Sequence, residues 1–222
     1  MPGLGEIDLR YVATIVVTFI IAITVHEFMH AWTAAQLGDD TARFLGRISL
    51  NPAVHFDPVG ALMFLFIAMG LPGIAWGKPV PVNDSRLRPL GRFGRQGSMA
   101  VVALAGPFSN IVLGAAAAAT LQIARFTGNS LGVLEQFLWL FMLVNFSLAA
   151  FNMIPLPPLD GSRILTAVLP GFWRPILAPL ERYGILILFL VLVFGRGIGS
   201  SILSAIIDPV RDLLLRIFAS GL

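Results

Sequence analysis

The residues best placed to do chemistry are His26, Glu27 and His30, in the run HEFMH at 26–30. Histidines four apart on a helix lie one turn from each other on one face, close enough to grip a single metal ion. Glu27 beside them reaches a water at that ion. Cysteine is absent, which excludes disulfides, thiolate metal sites and a cysteine nucleophile. A catalytic zinc usually takes three protein ligands and keeps a fourth position open, so a third ligand is needed. Two residues compete for it. His55, the only other histidine, lies in a loop beside Asp57. Asp160 closes the run NMIPLPPLD, whose three prolines must unwind the backbone near membrane depth. Irregular backbone there is tolerated only where it lines a cavity. A carboxylate in such a cavity is a hard oxygen ligand, and Gly161 lets the chain approach closely. These arguments favour Asp160 and leave His55 open. Asp160 also suits the N-cap of a helix beginning SRILTAV, and the two roles are compatible.

The setting raises the stakes. The chain is 57% hydrophobic and only 12% charged, with mean hydropathy +0.85, the composition of an integral membrane protein. The metal-type residues follow YVATIVVTFIIAI inside one apolar run. Each ionisable group inside a membrane costs about 2–3 kcal/mol, so three together call for a compensating partner such as a metal. The plainer alternative is a pair of histidines hydrogen-bonded in a bundle core. The net charge of +3 reads as an orientation signal in Arg-rich loops, not as a nucleic-acid surface.

The elements that must position these residues read as an all-α polytopic membrane protein. We expect a multi-span helical bundle with a small strand or hairpin element and a re-entrant segment near the active site, in a single transmembrane domain over 1–222. The first span covers 9–37 and stops at Gly38, Asp39 and Asp40. The segment before Arg10 is acidic and the apolar run continues through the histidines, so no removable leader is expected. Further spans fall at 98–124 and 131–153, with a short helix at 161–169 and an apolar one at 179–194. A C-terminal stretch at 198–219 reads as interfacial, with Asp208, Arg211, Asp212 and Arg216 around Pro209. Residues 41–50 and the PVPV piece of 77–83 have strand character. The apolar run from Val59 to Met69 is cut short by Gly70, Pro72 and Gly73, which predicts re-entry rather than a crossing. On that topology Arg43, Arg47, Lys78, Arg86, Arg88, Arg92, Arg95, Arg163, Arg174 and Arg182 share one side, against Arg10, Arg125 and Arg196. The basic side, and the metal with it, is then cytoplasmic.

Three blocks, HEFMH at 26–30, AGPFSN at 105–110 and FNMIPLPPLDG at 151–161, closely resemble the signature blocks of the site-2 proteases, intramembrane zinc metalloproteases that cut transmembrane substrates. NPAVHFDPVG and WGKPVPVN are similar to its compact subgroup, which lacks PDZ and CBS modules. The resemblance implies one Zn2+ per chain held by His26, His30 and Asp160, with Glu27 as catalytic acid/base. It implies that Asn152 holds the substrate carbonyl or the developing oxyanion and that Asn110 lines the site. His55, with Asp57, either supports the site or shapes a turn.

The expected chemistry is metal-assisted peptide hydrolysis, in which Glu27 takes a proton from the attacking water and passes it to the leaving amine. The partners are a transmembrane protein substrate and the lipid bilayer, in regulated intramembrane proteolysis at a prokaryotic plasma membrane. A helical substrate must unwind to expose its scissile carbonyl, and the strand-like pieces 41–50 and 77–83 could clamp it by edge pairing. A catalytically silent metal-binding membrane scaffold is the rival function, and the presence of Glu27 argues against it. A transporter would spread ionisable groups along a path and often repeat its halves, and this chain does neither.

Overall fold

The computed structural model describes residues 8–69, 75–170 and 198–222, together with 173, 175, 177, 179, 180, 183, 184 and 186. Helix α1 spans Leu9–Gln36, started by Asp8, whose carboxylate accepts the N–H groups of Arg10 and Tyr11 at 2.9 and 3.4 Å. At 1.5 Å per residue it is about 42 Å long, more than the roughly 30 Å hydrocarbon core of a bilayer. Helix α2 (Thr41–Phe44) follows a short loop, and α3 (Pro58–Ala68) is capped by Asp57 on Val59 and Gly60. Then come α4 (Gly94–Thr127), α5 (Val133–Asn152), α6 (Asp160–Val168) and α7 (Ile198–Phe218). Helices α1, α4 and α5 are long and apolar enough to cross a membrane. The protein is a multi-pass, all-α membrane protein.

Helix α4 is the axle of the bundle, packing on α1, α5 and α6. The face α1 turns inward is a stripe at four-residue spacing, Thr18, Ala22, His26, His30 and Ala34, all buried. Three of its five members are small, and that lets α4 come close enough to touch the two imidazoles. Pairs between His30 and Val102 and between Ala22 and Asn110 set α1 and α4 antiparallel. Towards the other end, Ala117 and Ala118 of α4 pack with Phe141, Met142 and Phe146 of α5 and Leu214 of α7 in an apolar core.

Helix boundaries match the expected spans within a few residues, and three local expectations change. First, 41–50 is not a strand. Asp39 draws the chain into α2 by accepting from the Thr41 N–H at 3.1 Å and the Thr41 hydroxyl at 2.5 Å. Residues 77–83 lie outside any helix and make no ladder, and no strand occurs among the described residues. Second, Asp160 is the first residue of α6 and Leu159 its cap. Third, α7 is more than an interfacial helix, because Leu214 is buried against α4 and α5 and Arg211 pairs with Asp208 and Asp212, each at 2.9 Å.

The segment after Asp57 does double back. The Lys78 N–H donates to the His55 carbonyl at 2.9 Å, and a Cβ added at Gly60 would collide with the Trp76 carbonyl. At 11 residues, about 16 Å, α3 is half a crossing. The helix expected at 179–194, with Arg182, falls largely outside the described residues, as do Arg174 and Arg196.

Candidate metal centre

Two helices deliver the three metal-type side chains to one point. His26 and His30 come from the inner face of α1, and Asp160 from the start of α6, after the proline-bound turn that leaves α5. Nε2 of His26 and Nε2 of His30 are 3.0 Å apart. The Asp160 Oδ2 stands 3.1 Å from the first and 3.3 Å from the second. Ligands on a tetrahedral zinc at about 2.0–2.1 Å lie about 3.3 Å from one another, so the triangle has the right size.

Hydrogen bonds on the far side of each ring show that the chemistry fits too. The Nδ2 of Asn110 donates to the Ala22 carbonyl at 3.1 Å and to Asn145 Oδ1 at 2.9 Å, which turns its Oδ1 towards His26 Nδ1 at 2.7 Å. Asn145 is fixed in turn by donating to the Phe141 carbonyl at 2.8 Å. An amide oxygen can only accept, so His26 carries its proton on Nδ1. His30 Nδ1 likewise faces the Val102 carbonyl at 2.7 Å. Both Nε2 atoms therefore present bare lone pairs, and Asp160 Oδ2 is buried without a hydrogen-bond partner. Three acceptors converging at 3 Å repel one another unless a cation lies between them. This outer ring of acceptors is also what orients histidine ligands in metal sites generally. The residues fit zinc.

Close approach is written into two glycines. A Cβ at Gly106 would overlap the His30 ring and lie 2.7 Å from His26 Cε1, and one at Gly161 would strike the Met153 and Ile154 carbonyls. The first lets α4 lie against both imidazoles, and the second lets α6 fold back onto the end of α5.

Glu27 is buried and its Oε2 accepts the Val80 N–H at 3.2 Å. With His26, His30 and Asp160 it lines a cavity of about 580 Å³ whose walls include Ile23, Trp76, Val82, Val102, Leu148, Phe151 and Asn152. Asn152 spends one amide hydrogen on the Leu148 carbonyl at 2.9 Å and stays on the cavity wall. His55 is elsewhere. It is buried with its Nε2 on the Ser49 carbonyl at 2.8 Å, and its backbone supports Lys78. Asn110 is fully buried behind His26 and does not line the cavity.

Sequence reasoning missed Asn145, Val80 and Gly106. A lone Asn in the apolar run FMLVNFSL carried a usable signal for the first, since polar groups inside spans need partners. The Val80 contact goes through backbone and leaves no trace in residue type.

A membrane-spanning helical bundle that offers two imidazoles and a carboxylate to one point, with a glutamate beside them in an apolar cavity, defines a membrane-embedded metallohydrolase. Known proteins agree. The chain is 35% identical over 213 residues to a Bacillus subtilis protein named "Putative zinc metalloprotease YwhC", covering 93% of this chain and 91% of that one. It is 29% identical over 180 residues to "Putative zinc metalloprotease Rip2" of Mycolicibacterium smegmatis, covering 81% of this chain and 66% of the relative. The family model described as Peptidase family M50 matches residues 121–195, a stretch that holds Asn152 and Asp160. No solved structure matches. The chain belongs to peptidase family M50, the site-2 proteases, and is a zinc metalloendopeptidase.

Proposed function

We propose that the protein hydrolyses peptide bonds in or near the transmembrane segments of membrane-protein substrates, in regulated intramembrane proteolysis, as one catalytic domain over 1–222. His26, His30 and Asp160 hold the zinc and Glu27 is the acid/base. The observation that carries this reading is the meeting of three bare acceptor atoms with the Glu27 carboxylate in one largely apolar cavity.

Zinc bound there supplies Lewis acidity. Glu27 follows His26 directly, its Oε2 is held by Val80 N–H, and its Oε1 is left to take a proton from the attacking water and return it to the leaving nitrogen. The second amide hydrogen of Asn152 is available to the scissile carbonyl oxygen. Aliphatic and aromatic walls suit an apolar segment and keep bulk water from the bond being cut. With 41–50 folded as helix and turn, 77–83 alone remains to bind an unwound substrate edge to edge.

Arg43, Arg47, Lys78, Arg86, Arg88, Arg92, Arg95 and Arg163 share the metal end of the bundle, whereas Arg10 and Arg125 lie at the opposite helix ends. That bias supports a cytoplasmic active site in a prokaryotic plasma membrane.

The test is cleavage of single-span model substrates by the purified protein in detergent. Wild type should cut within or beside the apolar segment. Glu27→Gln should lose about 10²–10⁴ in rate while keeping its zinc. Equal rates in the two proteins, or cutting that persists after chelation, would overturn the reading.

A further inference from the structure

Arg47 is a buried cation that the mechanism above leaves idle. It lies just after α2, is 6% exposed, and has no carboxylate within ion-pair distance among the described residues. One guanidinium nitrogen donates to the Lys78 carbonyl, and its Nε has no partner. Burial lowers its pKa, and the negative charge of Glu27 opposes that shift. Burying a guanidinium without a matching anion is costly, so it implies a compensating task.

What Arg47 grips is the strap GKPVPV, 77–82. The strap crosses α1 so closely that a Cβ on Gly77 would lie 3.0 Å from Ile23 Cγ1, 3.4 Å from the His55 carbonyl and 3.6 Å from Glu27 Cγ. Lys78 and Val80 each precede a proline, which biases both to extended backbone and stiffens the strap. On alternate residues the strap faces the protein. Lys78 gives its N–H to His55 at 2.9 Å and its carbonyl to Arg47, and Val80 gives its N–H to Glu27. Further on, the Asn83 N–H is held by Asp39 at 2.6 Å. The donor on Glu27 is thus fixed by anchors on both flanks, and the nearer anchor is Arg47.

We propose that Arg47 is a positioning residue for peptide hydrolysis: it pins the strap at Lys78 so that the Val80 N–H holds the Glu27 carboxylate in its working orientation. The inference rests on the proteolytic role of Glu27 given above. Small misplacements of a reacting group cost about 10²-fold in rate, so loss of the anchor should appear in kcat.

A double-mutant cycle on a cleavable single-span substrate tests this, with kcat, KM and bound zinc measured for wild type, Arg47→Met, Val80→Pro and the double variant. Val80→Pro removes the N–H on Glu27 at a residue that already stands between two prolines, and exchanges one apolar side chain on the cavity wall for another of similar size. Each single variant should keep its zinc, lower kcat by about 10- to 100-fold and leave KM within about twofold. The double variant should be no slower than the slower single, since both break one arrangement. If Arg47→Met fails to fold or to load zinc, Arg47→Gln, which is shorter and uncharged, takes its place, and the same non-additivity is expected. Losses that multiply, a change confined to KM, or full activity in the Arg47 variant would overturn the proposal. Wild type that cuts no substrate undoes the protease reading itself. Active wild type and silent Glu27→Gln beside a fully active Arg47 variant undoes this inference alone.

Discussion

The two ends of α4 are built from the same kind of helix and held by different physics. Towards its start, beside a small apolar cluster of Ala34, Leu87, Met99 and Val102, α4 meets the imidazoles of α1 through hydrogen bonds with defined partners and a clearance that only glycine allows. Two turns on, Gly114, Ala117 and Ala118 meet Phe141, Met142 and Phe146, and the contacts are dispersion and shape. At the first end a lost partner strands a buried polar group and the effect falls on metal binding. At the second a lost or added methylene changes packing and falls on stability. The chain places its chemistry where geometry is over-determined and leaves the rest of the bundle to fill space.

Paired substitutions can break that contrast. Gly106→Leu drives a side chain into both imidazoles and should abolish stoichiometric zinc and all cleavage, read by metal analysis and a substrate assay. Asn110→Ala leaves the Nδ1–H of His26 without its acceptor and should weaken zinc binding by about 10- to 100-fold, measured by chelator competition. Gly114→Ala at the apolar end places a methyl against the Phe146 ring. It should cost about 1–3 kcal/mol in unfolding free energy with zinc affinity unchanged. Zinc loss in that variant, or a purely thermal phenotype for Asn110→Ala, would erase the distinction.

The smallest effect lies outside the spans. Burial alone would raise the pKa of Asp39, but the Thr41 hydroxyl and the N–H groups of Asn83 and Thr41 outweigh it and hold the carboxyl below its ordinary value of 3.8. A depressed folded-state pKa gives stability that is in place above that ordinary value and is lost as the pH falls through the lower folded one. Asp39→Asn should therefore unfold about 1 kcal/mol more easily at neutral pH, with the gap closing in acid. Chemical denaturation across pH reads this directly.

The legible part of the molecule was whatever repeats at helical period or clusters by residue type. HEFMH marked a helix face, the long apolar runs marked α1, α4 and α5, and the proline-bound turn before Asp160 marked the return of the chain to the two histidines. What stayed hidden depends on backbone groups and distant partners. Residues 41–50 alternate like a strand, yet the Asp39 carboxylate draws the first four of them into α2, a choice that alternation cannot show. The Val80 N–H on Glu27 is invisible in a valine, and the Asn110–Asn145 relay joins two helices 35 residues apart. His55 looked like a rival third ligand because histidine is scarce here, but its Nε2 lies on the Ser49 carbonyl and it does not join His26, His30 and Asp160.

The central claim, that His26, His30 and Asp160 together hold the metal, is tested most directly by zinc per chain in purified wild type, His26→Ala, His30→Ala, Asp160→Ala and His55→Ala. Wild type and His55→Ala should each carry close to one zinc, and the other three far less. Full zinc in Asp160→Ala, or its loss in His55→Ala, would contradict the account.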